Sequence, residues 1–386
     1  MQPLVIVGSG LAGYLLAKEV RQGNVTKPIV MVTRADGAFY SKPMLSNALA
    51  SQKTPEALVQ KTAETMAKEL DMRIVAHTPV TAINARKKTI SFADETLEYD
   101  QLVLATGSEV VRSHLKGDAV DQVFSVNDLE DYKHFRDALQ GKKRIVVIGA
   151  GLIGVEFAND LSRAGFDVEV VSTDQWAVQR LLPEAPARLL QSALDAKGVT
   201  WHFDALASSV NKTDNGFVLR CISGMEIEAD LIFSAIGIVP DLALGKLADV
   251  EMKRGIVVDY YLKTSVKDVF ALGDCAEVRG QVSPYVAPLR LCAQALGKTL
   301  TGTPTRVIYP RMAVKVKTPD CPMRVLPRPS EVKGEWQCEQ DDTGSRHLFY
   351  DTKQRLQGFV LTGEKAIEVK QWLEASMTED EKVGEK

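Results

Sequence analysis

The sequence predicts an α/β fold made of two copies of one strand–helix–strand unit, the second inserted in the first, followed by a small α+β domain. Two glycine fingerprints and an internal repeat predict it. Gly8-Ser9-Gly10-Leu11-Ala12-Gly13 follows the apolar run Leu4-Val5-Ile6-Val7, and Gly149-Ala150-Gly151-Leu152-Ile153-Gly154 follows Ile145-Val146-Val147-Ile148. A helical pattern follows each. In this spacing the first glycine permits a tight turn, the second lets backbone approach a pyrophosphate, and the third lets the helix pack on the strand. The repeat pairs Leu97-Glu98-Tyr99-Asp100-Gln101-Leu102-Val103-Leu104-Ala105-Thr106-Gly107 with Ile227-Glu228-Ala229-Asp230-Leu231-Ile232-Phe233-Ser234-Ala235-Ile236-Gly237. Both read as a charged turn, an apolar strand and Ala-x-Gly. The chain therefore carries two Rossmann-like dinucleotide-binding domains. Two dinucleotides in one chain point to electron transfer between them: a flavin taking hydride from a nicotinamide.

Bulk properties narrow the class. The 386 residues, 45% hydrophobic and 25% charged, suit two or three globular domains. A net charge of −3 gives no global basic field for nucleic acid. Met1 leads almost at once into the first strand, and no apolar run approaches the ~18–20 residues of a membrane span, so a cytoplasmic protein without membrane contact is expected. A monomer is the expected state, though none of these features bears on it. The five cysteines, 221, 275, 292, 321 and 338, include no C-x-x-C or C-x-x-x-x-C pair. Reduction of a disulfide substrate needs neighbouring thiols, so electrons must leave another way. Each cysteine is expected as a buried free thiol. The five histidines (77, 114, 134, 202 and 347) show no metal-ligand spacing, and there is no G-x-S-x-G elbow. No metal is expected, and hydrolytic chemistry has no support.

The elements follow in order. The first domain is expected over 1–112 and 242–306, the second over 113–241, and the C-terminal domain over 307–386. Alternating runs at Thr89-Ile90-Ser91-Phe92 and Phe217-Val218-Leu219-Arg220 read as antiparallel meander strands, one in each copy. Strands at 255–259 and 269–274 and a helix at 289–300 return the chain to the first domain. From about Val307, Pro310, Pro319, Pro322, Pro327 and Pro329 break the chain into short pieces. Stretches 334–338, 347–351 and 356–361 suggest a small antiparallel sheet, with a helix at about 365–375. The last ten or so residues are polar and expected to fray.

Candidate site residues sit at element ends. The second strand, Ile29-Val30-Met31-Val32, ends in Thr33 and Arg34 where an acid usually holds a ribose, and Asp36 comes slightly late. Either Asp36 serves the ribose or Arg34 stacks on the adenine. Lys42, in Tyr40-Ser41-Lys42-Pro43, reads as a cation beside a flavin or pyrophosphate, or as a solvated loop lysine. Asp274, in Leu272-Gly273-Asp274, reads as an acceptor for ribityl hydroxyls or as an N-cap to a helical turn at 275–278. Glu156, two residues past Gly154, is placed in the first helical turn, where it orients a nicotinamide amide or simply meets the helix dipole. Val168-Glu169-Val170-Val171 ends in Ser172-Thr173-Asp174, with no arginine for a 2′-phosphate, which favours NADH over NADPH. Between Thr305 and Lys333, Arg306, Arg311, Lys315, Lys317, Arg324, Arg328 and Lys333 face only Asp320 and Glu331. Such a run steers an acidic electron carrier or is a solvated face.

On these residues the chain resembles the FAD-dependent pyridine-nucleotide oxidoreductases of the glutathione-reductase-like fold, and within them the branch that serves rubredoxin. The more discriminating segments are Tyr40-Ser41-Lys42-Pro43-Met44-Leu45-Ser46 and Val316-Lys317-Thr318-Pro319. Also similar are Val126-Asn127-Asp128-Leu129-Glu130-Asp131-Tyr132, the second fingerprint through Asp160, and Leu272-Gly273-Asp274-Cys275-Ala276-Glu277. The resemblance implies FAD in the first domain, NAD(H) in the second and a C-terminal domain beside the flavin. It also implies one-electron delivery to rubredoxin, feeding an alkane hydroxylase. Carried over by position, the FAD contacts are Gly8, Ser9, Gly10, Leu11, Ala12, Gly13, Thr33, Arg34, Lys42, Val80, Ala105, Thr106, Gly107, Asp274 and Lys317. The NAD contacts are Gly149, Gly151, Leu152, Ile153, Gly154, Glu156 and Gly237. Lys42, Glu156 and Lys317 would serve the reaction. Thr33 departs from the usual ribose glutamate. Two other readings stay open: delivery to a ferredoxin or flavorubredoxin, and an NADH-sensing flavoprotein that acts by binding a partner.

Overall fold

The computed structural model describes residues 1–377, and the polar end expected to fray lies outside the described residues. The chain forms two compact units: 1–42, 55–109 and 238–309 make the first, and 43–54, 110–237 and 310–386 the second.

In the first unit five strands form a parallel sheet in the order Val269–Ala271, Gln101–Leu104, Leu4–Val7, Ile29–Val32, Arg73–Val75. Leu4–Val7 and Ile29–Val32 are buried along their whole length, which is why they read as continuous apolar runs and not as alternation. Helix Leu11–Gly23 buries Ala12, Gly13, Tyr14, Leu16, Ala17 and Val20. Helix Val286–Leu300 approaches it so closely that a Cβ on Gly297 would lie 2.5 Å from the Cβ of Glu19. The meander Val80–Asn84, Thr89–Phe92, Glu95–Glu98 is antiparallel as expected.

The second unit repeats the plan. Its parallel sheet runs Val199–His202, Asp167–Val171, Arg144–Ile148, Leu231–Ser234. The closing strand of each copy thus lies beside the fingerprint strand, with the second and third strands on its other side. The meander Ala207–Thr213, Gly216–Cys221, Glu226–Ala229 follows. Helix Leu152–Arg163 buries Phe157 against Phe233, with ring centroids 4.6 Å apart, and Phe135 lies 4.9 Å from Phe233. Phe135 belongs to helix Leu129–Ala138, whose start is set by the Asp128 carboxylate accepting from the Asp131 N–H at 2.9 Å.

The last sheet is antiparallel, in the order Val314–Val316, Met323–Leu326, Leu356–Thr362, Gly344–Asp351, Gly334–Asp341. Its strands run longer than the sequence suggested, because the hairpin at 341–344 pairs to its tip: Asp341 opposes Gly344 and its carboxylate caps Thr343. The terminal helix is shorter than expected, Val369–Ser376, preceded by a 3₁₀ segment, Gly363–Glu368. One expectation fails outright. Residues 275–278 are no helical turn, since Ala276–Val278 is a strand parallel to Ile256–Val258. Gly273, at φ +82°, reverses the chain, and Ala276 N–H donates to Gly273 O at 3.0 Å. The turn is therefore completed by backbone before Asp274 can cap anything.

Candidate functional site

Both fingerprints close in the same way. A Cβ on Gly8 would meet Ala105 O at 2.3 Å, and on Gly149 would meet Ala235 O at 2.6 Å. Both glycines have positive φ, +116° and +107°. A Cβ on Gly13 would lie 2.0 Å from Gly8 O, and on Gly154 2.0 Å from Gly149 O. The protein's own packing therefore requires the outer glycines. It does not require the middle ones: a Cβ on Gly10 or Gly151 would have nothing within 4 Å, and both have ordinary extended backbone, φ −66° and −71°. They also start helices that no side chain caps. Each cradle thus offers open space, bare backbone and unpaired helix N–H groups, which suits a diphosphate twice over.

Around the first cradle, Ser9 and Thr33 are buried, their hydroxyls 2.9 Å apart. Arg34 is exposed and reaches Asp241 at 3.8 Å, while the Asp36 carboxylate accepts from its own turn at Ala38 N–H, 2.9 Å. Ala105 N–H continues the sheet to Val7 O, Thr106 donates to Asp241 O at 3.0 Å, and Gly107, at φ +78°, accepts from Asp241 N–H at 3.0 Å. Val80 is buried at the start of the meander. Ser108 donates to the Asp274 carboxylate at 3.2 Å. Burial pushes the Asp274 carboxyl up, and the Lys42 charge and the Ser108 hydroxyl oppose it.

Glu156 is the fifth residue of Leu152–Arg163, so it stands in the second turn, not the first as expected. The dipole weakens beyond the first turn, and the charge of Glu156 is met by side chains instead. The carboxylate is 2% exposed. It accepts from Lys317 N–H at 3.0 Å, from Lys317 Nζ at 2.5 Å and from Ser46 Oγ at 2.7 Å. Lys317 Nζ also donates to Pro43 O at 2.6 Å and to Ser46 Oγ at 2.7 Å. An ammonium has three hydrogens, and these acceptors use all of them.

Further along the same helix face, Asp160 accepts from Leu49 N–H at 2.9 Å and Ala50 N–H at 3.0 Å. Asn159 and Arg163 donate to Asp320, Arg163 at 3.1 Å. Gly237, at φ +128°, accepts from Val111 N–H, and Ile153 is exposed in the first turn. Strand-end Ser172 is buried, with its hydroxyl 3.0 Å from the Asp174 carboxylate.

The basic run is divided by its surroundings. Arg306 lies over the Tyr260 ring at 4.1 Å in the first unit, and Lys317 is turned to Glu156. Arg311 is held by Gln357 at 2.9 Å. Lys315, Arg328 and Lys333 are exposed. All five cysteines are free thiols; four are buried as expected, but Cys338 is exposed, because its strand Gly334–Asp341 is the outer edge of the last sheet.

Residues 2–291 match the pyridine nucleotide-disulphide oxidoreductase family. The chain belongs to this family. It is an oxidoreductase, and residues 306–376 also match a rubredoxin binding C-terminal domain. A rubredoxin-NAD(+) reductase from Alcanivorax borkumensis is 44% identical over 95% of this chain and 97% of its own. One from Acinetobacter baylyi is 41% identical over 95% of each. The fold matches a ferredoxin reductase from Rhodopseudomonas palustris at a TM-score of 0.87, with 22% identity over 96% of this chain and 93% of that one. The oxidoreductase family is named for disulphide chemistry, yet the described residues of this member include no disulfide, and its thiols are scattered. Among the described residues no group of His, Cys, Asp and Glu could hold a metal ion, and no helix is long and apolar enough to cross a membrane.

Sequence reasoning missed Asp160 on this oxidoreductase's second-fingerprint helix, and Ser46 and Asp320 as partners of that helix. A polar face at Glu156, Asn159, Asp160 and Arg163, at i, i+3, i+4 and i+7, was the available signal: it is buried or paired where a surface helix would be solvated.

Proposed function

We propose that this oxidoreductase binds FAD in the first cradle and NADH in the second, and passes electrons one at a time to rubredoxin. The balanced reaction is NADH plus two ferric rubredoxins giving NAD⁺, a proton and two ferrous rubredoxins. Chain segments 1–112 and 242–306 serve FAD, 113–241 serve NADH, and 307–386 receive the carrier. The open space at Gly10 and Gly151, where packing requires no glycine, carries the two-dinucleotide reading. The relatives named for rubredoxin and the matched C-terminal domain support the acceptor. An alkane hydroxylase as the final recipient rests on the sequence resemblance alone.

Bound flavin would supply the conversion of a two-electron hydride input into single-electron outputs. The chain's residues do the rest by placement. Helix N-termini at Leu11 and Leu152 receive the pyrophosphates. Gly8, Gly13, Ala105, Thr106 and Gly107 shape the first cradle, and Asp274 accepts from ribityl hydroxyls. Ser9, Thr33, Arg34 and Val80 border the adenosine and flavin ends. Lys42 provides the cation that favours a reduced, anionic cofactor. Gly149, Gly154, Ile153 and Gly237 shape the second cradle, and Glu156 orients the nicotinamide amide. Lys317 acts on Glu156 and through its charge, since its donors are taken. No side chain need move a proton in hydride transfer.

Anaerobic mixing of the FAD-loaded protein with NADH, then with rubredoxin or ferredoxin, tests the reading. Flavin bleaching followed by rubredoxin reduction is expected. Reduction of ferredoxin alone overturns the acceptor, and protein that takes up no FAD overturns the whole reading.

A further inference from the structure

The turn Lys317-Thr318-Pro319-Asp320-Cys321 joins Val314–Val316 to Met323–Leu326. It is closed by Cys321 N–H donating to Thr318 O at 3.0 Å and by Thr318 Oγ1 donating to Cys321 O at 2.7 Å. It presents opposite charges three residues apart to one face of helix Leu152–Arg163. Lys317 meets Glu156 near the helix start. Asp320 meets Asn159 Nδ2 at 2.5 Å and Arg163 at 3.1 Å near its end. Lys197, just past helix Glu184–Asp195, adds a second cation at 3.5 Å. The Asp320 side chain is only 10% exposed, so this acidic residue is withdrawn from the basic run in which it stands.

Asp320 touches neither fingerprint glycine loop. Its partners lie at the far end of the helix from Gly151. It lies in the turn between two strands, and those strands carry Lys315, exposed, and Arg324, half-buried. We propose that Asp320 is a positioning residue for the electron carrier: by tying the 317–321 turn to Asn159, Arg163 and Lys197, it holds the basic surface of the C-terminal module in the arrangement that rubredoxin recognises. This rests on the functional reading above. Pre-arranged charges raise association rates and lower KM without altering chemistry elsewhere.

The test compares wild type with Asp320→Asn, Asp320→Ala and Asp320→Glu as FAD-loaded, full-length proteins. Three readouts are taken: flavin reduction by NADH in anaerobic stopped-flow, steady-state turnover with ferricyanide, and kcat and KM with rubredoxin. For Asp320→Asn and Asp320→Ala, KM for rubredoxin should rise about 5- to 10-fold, while flavin reduction and ferricyanide turnover stay within about twofold. Asp320→Glu should recover most of the affinity. Unchanged rubredoxin kinetics in both variants overturn the assignment, as does an equal fall in all three readouts with no rescue by Glu. Wild-type protein that reduces ferricyanide but not rubredoxin overturns the acceptor reading itself, before any variant is compared. Asp320→Asn keeps the side-chain shape and serves if Asp320→Ala folds poorly.

Discussion

Lys317 grips Glu156 with two groups at once: its backbone N–H reaches Oε1 at 3.0 Å and its ammonium reaches Oε2 at 2.5 Å. Main chain and side chain of one residue therefore hold both oxygens of a carboxylate that is almost wholly buried. Breaking such a pair by removing one partner leaves an uncompensated buried charge, at a cost of about 3–5 kcal/mol. Lys317→Met should lower unfolding free energy by about that amount in denaturant titration, and Glu156→Gln in the same chain should restore much of it. Additive losses in the double mutant would mean the charges are not coupled.

Glu156→Gln alone should slow flavin reduction by NADH while leaving FAD content unchanged. Stopped-flow rates at saturating NADH separate orientation of the nicotinamide from simple binding. An unchanged rate removes Glu156 from the nicotinamide site.

The glycines divide by their surroundings. Gly8→Ala places a Cβ 2.3 Å from Ala105 O at φ +116°, and should destabilise the fold on the order of 3 kcal/mol or more. Gly10→Ala meets nothing within 4 Å and should cost the fold at most about 1 kcal/mol, as a poorer N-cap. It should nonetheless deplete FAD in the purified protein, and Gly151→Ala should weaken NADH while sparing FAD. Flavin absorbance and the KM for NADH report the two effects separately.

On its proposed role as ribityl acceptor, Asp274→Ala should purify with less FAD. Burial raises the Asp274 carboxyl above the ordinary aspartate value of 3.8, so the folded apoprotein binds a proton that the unfolded chain has already released. Its contribution to apoprotein stability therefore declines as pH rises from that value through the raised folded one. Asp274→Asn should flatten this part of the stability profile in urea.

Asp320 carries the opposite sign. Burial alone would raise its carboxyl, but the hydrogen bonds from Asn159 and Arg163, with the charges of Arg163 and Lys197, outweigh it and lower the value. Its stabilising contribution is present above the ordinary aspartate value of 3.8 and lost as pH falls through the lowered folded value. The stability difference between wild type and Asp320→Asn should be flat near neutrality and shrink only in acid. A difference that vanishes near neutral pH would contradict the ion pairing.

Much of the architecture was legible in local sequence. Leu4–Val7 and the run 145–148 announced themselves as strands because parallel strands covered on both faces are apolar along their buried length. The glycine spacing placed both turns, since only glycine tolerates positive φ with a carbonyl 2.3–2.6 Å from its Cβ position. The failures came where tertiary neighbours decide. Ala276–Val278 became a strand, not part of a helical turn, because Ile256–Val258 was there to pair with it. Cys338 is exposed because its strand is the sheet edge.

By itself the sequence determined two dinucleotide units, their internal repeat and the absence of a closely spaced redox cysteine pair. These follow from short-range sterics and periodicity, which a chain carries in its own order. Only the tertiary structure decided what meets Glu156. Ser46 lies 110 residues and Lys317 161 residues away in sequence, and Asp320 is withdrawn from the basic run by Arg163, 157 residues distant. Charge compensation in a buried site depends on distances of a few ångströms, and linear spacing does not encode which remote groups supply it.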